Sequence, residues 1–159
     1  MILKAIYTCF FVFVSIISST LQAHEIKFNE CSIKLTNEYE WAPASNSELL
    51  SDLTYTRLTN TNFSIVNVSS ESHNYDNDDT ELIDSFENQL ALFSVYFVAN
   101  PNGRSGYNIA EIVQHSKVIA MYGVTAEDIH FMLANCFEPI AIERFSEAVH
   151  HSVLRQSSL

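Results

Sequence analysis

DDTELIDSFENQLALFSVYFVA, residues 78–99, is the stretch on which the reading of the fold turns. Leu82, Ile83, Phe86, Leu90, Phe93 and Phe97 fall at helical spacing. Asp78 with Glu81 fits an N-cap and N3 pair, and Asn100-Pro101 supplies a stop. The spacing therefore predicts a helix over residues 80–99. Its first half has a polar back of Glu81, Asp84 and Asn88, which gives way to Leu92, Val95 and Val98. A helix apolar on all sides is the centre of a bundle or waits for a partner. Leu92, Val95 and Val98 are for that reason candidate partner-binding residues.

Three more helices follow in the same reading. Ser105 caps one that runs to Tyr122, and Gly123 ends it as a C′ glycine. Thr125 with Asp128 forms a second capping box, followed by the stripe Ile129, Met132, Leu133, Cys136. Pro139 suits the first turn of a last helix with Ile142, Phe145, Val149 and Val153 inward. Upstream, Cys31, Ile33 and Leu35 alternate with polar residues as in a short strand, or open a helix. Ser45 or Ser47 caps a brief helix, and residues 54–68 carry a strand-like composition interrupted by Asn residues at 60–62. Residues 69–79 read as an acidic exposed loop. The expected fold is mainly α, or α+β: a short N-terminal strand or irregular segment packed on a C-terminal bundle of about four short helices.

The first 23 residues, MILKAIYTCFFVFVSIISSTLQA, have a single lysine, an apolar run and a small-residue end, as a secretory signal peptide does. The apolar run is short for a membrane span of roughly 20 residues, so no membrane insertion is expected after cleavage. Residues 24–159 are then one compact domain of 136 residues. All 19 acidic residues lie in it against seven Lys and Arg, a formal charge of −12. That balance disfavours nucleic acid and anionic membranes and suits a basic partner. Three glycines in the whole chain argue against a phosphate-binding loop and against a many-turned β protein. The two cysteines after the leader, Cys31 and Cys136, read as a disulfide in an exported chain.

Three constellations carry chemical content. Glu127-x-x-His130 and Glu147-x-x-His150, with Glu87 and Glu111, are the ligand inventory of a two-metal carboxylate bundle, but on helical wheels they mostly point away from the apolar faces. Asp76, Asp78, Thr80 and Glu87 fall at positions 1, 3, 5 and 12 of a calcium loop whose sixth residue, Glu81, should be glycine. His24, first after the cut, offers an amine and an imidazole to copper. No G-x-S-x-G and no C-x-x-C is present. Asn62 and Asn67 match glycosylation sequons.

The expected function is thus an exported, non-catalytic protein-binding module with no cofactor, in concrete form an inhibitor or immunity protein against an envelope or cell-wall-directed enzyme. Its partner is another exported protein of basic character, or a second copy of itself. Trp41, Asp76, Asp78 and Asp79 join Leu92, Val95 and Val98 as candidate contact residues. The alternatives are a small exported metal-binding protein or enzyme using His and Glu ligands, and a structural subunit of an envelope assembly.

Overall fold

The computed structural model describes residues 25–35, 42–43, 53–58, 63–70, 75, 78–100 and 106–156. The expected leader of residues 1–23, His24, Trp41, Asp76, the helix expected near Ser45, the Asn residues at 60–62 and the Ser105 cap lie outside them. In chain order the elements are β1 (Glu25–Phe28), β2 (Cys31–Lys34), β3 (Ala42–Pro43), β4 (Leu53–Leu58), β5 (Phe63–Ser69), β6 (Thr80–Glu87), β7 (Leu92–Val98), β8 (Tyr107–Gln114), β9 (Lys117–Tyr122), α1 (Ala126–Leu133) and α2 (Pro139–Gln156). β1 and β2 form a hairpin; the other strands form one antiparallel sheet in the order β3-β4-β5-β9-β8-β7-β6.

The four-helix bundle is therefore wrong, and so is a helical description of the chain: sheet dominates, and two helices are present among the described residues. Residues 80–99 are the hairpin β6–β7 rather than a helix. Asn88 makes the turn, its Oδ1 accepting from the amides of Leu90 and Ala91 at 2.9 and 2.8 Å. Beyond it Phe93, Val95 and Phe97 point to the core while Leu92, Tyr96 and Val98 point the other way. Residues 107–122 are likewise a hairpin, β8–β9, and every residue from Asn108 to Ile112 is buried. Strands covered on both faces lose the alternation that marks a half-exposed strand, and their continuous apolar runs imitate an all-apolar helix. The β-branched and aromatic content of β7 and β9 favours the extended state.

Scarcity of glycine did not prevent a sheet. Tight turns at 29–30 and 115–116 place Asn29 at φ 55° and His115 at φ 57°, two residue types that tolerate the left-handed region. Asn29 Nδ2 also donates to the main-chain oxygen and Oε1 of Gln114, which ties the two hairpin tips together. Gly123, at φ 62°, makes the bend from β9 into α1 and does not cap a helix.

The two C-terminal helices match their local signals. Thr125 caps α1 in a reciprocal box with Asp128, and Pro139 opens α2. The inward stripe of α2 is Ala141, Ile142, Phe145, Ala148, Val149 and Ser152. α1, α2 and the β1–β2 hairpin share one core with one face of the sheet. Phe93 stands in that core with no exposure, stacked on Phe86 at 4.8 Å and meeting Phe137 and Phe145 edge-on at 5.0 and 5.3 Å. Cys31, at the start of β2, is disulfide-bonded to Cys136, in the turn between the helices, with Cα atoms 5.2 Å apart. The bond fastens the small hairpin to the helical layer.

Candidate binding face

Strand register assigns each side chain to a face. On the side bearing the helices stand Asp84 and Phe86 of β6, Phe93 and Val95 of β7, Ala110 and Ile112 of β8, and Ile119 and Met121 of β9. On the other side, where no described helix lies, Leu82, Tyr96, Ile109, Tyr122 and Ile65 form one lateral row across five strands. A neighbouring row on that side is polar: Ser85, Ser94, Glu111, then Ala120 and Asn67. Ser85 and Ser94 share a hydrogen bond of 3.0 Å.

Tyr75, from the connection between β5 and β6, lies on this second face. Its ring packs on Tyr96 at 4.8 Å, and its hydroxyl is 3.4 Å from that of Tyr122. Glu111 sits beneath, 3 % exposed, and also hydrogen-bonds the Tyr75 hydroxyl. Burial first, then the Tyr122 contact and the negative Glu111, push the Tyr75 phenol far above its ordinary range. Burial and Glu111 raise Tyr122 as well, although its hydrogen bond with Tyr75 works the other way. Both phenols stay protonated at neutral pH and act as neutral packing groups over a buried carboxyl.

Toward the β6 edge the same face opens to solvent. Leu82, Leu92 and Tyr107 are 53 %, 41 % and 46 % exposed, with Tyr96, Val98 and Val113 half-buried among them. Single exposed apolar residues are ordinary, but Leu82 and Tyr107, with Tyr96 and Val98, stand on two adjacent rows and make a patch, whereas Leu92 lies six residues along β7 from Val98, roughly 20 Å away, beyond the polar row. Val98 belongs to it, and Leu92 is exposed on the same face but apart from it. Val95 is not on that face: the helical period put the three together, whereas strand alternation turns Val95 into the core at 1 % exposure. Asp78 and Asp79 are exposed in the turn that leads into β6. Leu82 and Tyr107 escaped the sequence reading. An alternating reading of Thr80, Leu82 and their neighbours would have found Leu82, but the bulge between Leu82 and Asp84 breaks that period.

On the helix side, two arginines of α2 reach down to β6. Arg144 Nε and Nη2 each donate to Asp84 at 3.0 Å, and its guanidinium lies 4.3 Å over the Phe86 ring. Arg144, through that hydrogen bond, holds the Asp84 carboxyl below the usual carboxylate range. Arg155 pairs with Glu81. Between these two straps is a groove of about 770 Å³ with Ile83, Ala148 and Leu154 on its walls and Glu147 and His151 at its rim.

The chemical constellations do not assemble. Glu127, His130, Glu147 and His150 are exposed on the helical layer, whereas Glu111 lies beneath the opposite face of the sheet. No three of His, Cys, Asp and Glu converge among the described residues. The calcium-loop reading fails because Thr80 and Glu87 are the two ends of an eight-residue strand, roughly 23 Å apart at 3.3 Å per residue. Asn67 is 5 % exposed within β5, so its sequon is closed to a glycan in the folded protein. Ser146 Oγ lies 2.9 Å from His130 Nε2, near Glu143, and superficially suggests a hydrolytic triad. The hydroxyl, however, donates its one proton to the Glu143 carbonyl at 2.8 Å. The backbone of its own helix thus engages the serine's one proton, and Glu143, 65 % exposed, is no buried third group to orient the imidazole.

Comparisons of the chain with protein-family models, with curated proteins and with solved structures find no match.

Proposed function

We propose that this chain is an exported, non-catalytic protein-binding module whose partner covers the open side of β6–β8, in concrete form an inhibitor or immunity protein against a basic envelope or cell-wall-directed enzyme. The observation that carries the reading is the exposed patch of Leu82 and Tyr107 with Tyr96 and Val98 beside them. A disulfide between Cys31 and Cys136 suits an oxidising compartment, as does the leader-like composition of residues 1–23. The charge of −12 on residues 24–159 steers a basic partner and repels a second copy.

Magnitude limits what the patch does by itself. Burying a large apolar side chain fully is worth about 1.5–3 kcal/mol. Leu82 and Tyr107 are already about half covered, so together they supply roughly 1.5–3 kcal/mol, well short of the ~8 kcal/mol of a micromolar complex. The patch orients a partner but needs further contacts to hold one.

The test is capture from the envelope and secreted fractions of the source organism on immobilised residues 24–159, in low and in high salt. The unaltered protein is expected to retain a discrete basic protein, more weakly as salt rises. The double variant Leu82→Asp/Tyr107→Asp, altered only at exposed positions, is expected to lose it. Equal capture by both proteins overturns the assignment of this face.

A further inference from the structure

β6 is the outermost strand of the seven, and no described strand lies beyond it. It is eight residues long, as long as any strand in the sheet, and none of its residues is fully buried. Edge strands usually escape pairing by being short, by carrying Lys or Pro, or by bulging. β6 has one bulge but no Lys and no Pro. Its charges are all acidic: Glu81, Asp84 and Glu87, with Asp78 and Asp79 just before it. Glu81 and Asp84 are matched by Arg155 and Arg144, whereas Asp78, Asp79 and Glu87 stand in solvent at its two ends.

We infer that β6 is a strand-addition edge: an extended, Lys- or Arg-containing segment of the partner pairs with it and lengthens the sheet to eight strands. The inference rests on the proposed binding function and supplies the contacts that the apolar patch lacks. Main-chain hydrogen bonds along the edge provide attachment without demanding a particular sequence. Side chains of one parity on the incoming strand continue the open face beside Leu82. Those of the other parity fall on the helix side, into the groove between Ile83 and Leu154 that α2 overhangs. Basic residues at the ends of the segment meet Asp78, Asp79 and Glu87. A second copy of β6 is a poor occupant, because two such strands side by side bring acids against acids.

The experiment is an amide-resolved NMR titration of the oxidised protein, residues 24–159, with three capped octapeptides. One alternates Val and Lys, one alternates Val and Glu, and the third is the Val–Lys sequence methylated at every peptide nitrogen. The Val–Lys peptide is expected to shift amides of Leu82–Phe86 and of Leu154 and Arg155. The Val–Glu peptide is expected to bind about tenfold more weakly or worse, and the methylated peptide not at all. Leu154→Asp, at a position 52 % exposed and so compatible with folding, is expected to weaken the Val–Lys peptide several-fold, about as much as loss of one apolar contact allows. Undiminished binding by the methylated peptide, or shifts centred on Tyr96 and Tyr107 alone, overturns strand addition while leaving the binding function standing. Absence of shifts at millimolar peptide overturns strand addition too, and the capture experiment then decides the binding function separately.

Discussion

Replacing Cys31 and Cys136 together by serine removes the link between the β1–β2 hairpin and the helical layer, and leaves no thiol within residues 24–159. The bond closes a loop with a sequence separation of 105. In the chain-entropy account a loop of that size restricts the unfolded chain by roughly 4.7 kcal/mol. With about 2.1 cal/mol/K of unfolding entropy per residue, a 136-residue domain then loses roughly 16 °C in Tm. At a typical slope near 2 kcal/mol/M the urea midpoint falls by about 2 M. Set against the usual 5–15 kcal/mol of total stability, that is a third of it or more. The assay is urea unfolding followed by far-UV circular dichroism, on the oxidised protein, the reduced protein and the double variant. Native-state amide exchange supplies the local readout: Ile26 and Ile33 are expected to lose protection before Phe93, because a two-stranded hairpin is marginal alone. The reasoning is refuted if the three midpoints agree within about 1 kcal/mol, or if exchange at Ile26 and Phe93 accelerates equally.

Other consequences follow from single contacts. Thr125→Ala removes the acceptor for the Asp128 amide and half of a reciprocal cap, and is expected to cost about 1–2 kcal/mol in urea unfolding. Phe93→Ala empties the centre of a four-ring cluster and is expected to cost about 3–5 kcal/mol, the largest loss of any single core truncation in β7. Burial holds the pKa of Tyr75 and Tyr122 above the unfolded value near 10. Their contribution is complete below that pH and is lost as pH rises past it, so chemical stability is expected to fall above about pH 10. The double variant Tyr75→Phe/Tyr122→Phe, measured across pH 8–11, is expected to flatten that decline; an unchanged slope would place its origin elsewhere.

The reach of the sequence can be judged residue by residue. Thr125, Asp128 and Pro139 announced α1 and α2 correctly, because caps are satisfied by atoms a few residues away and need nothing from the rest of the chain. The alternation of Cys31, Ile33 and Leu35 fitted β2, although the same residues could equally have opened a helix. The pairing of Cys31 with Cys136 was legible from the even count of cysteines after residue 23, although which layers it joins was not. Asp78 and Glu81 made an equally good local cap on paper, yet they precede a strand. What distinguished the two cases was the apolar residues behind them: one clean stripe after Thr125, and apolar groups on every side after Asp78.

Charge, the paired cysteines and the two helix caps were determined by the sequence alone, since each depends on composition or on neighbours along the chain. Whether residues 80–122 coil or extend was decided by tertiary structure, because the apolar residues of β7, β8 and β9 run almost continuously and fit a helical period as readily as a strand. The candidate site belongs to that second class. Leu82 and Tyr107 are distant in sequence and share a face only through strand register, and β6 becomes an edge only because β9 returns to pair with β5. Long-range pairing sets which side chains meet water, and no local pattern encodes it.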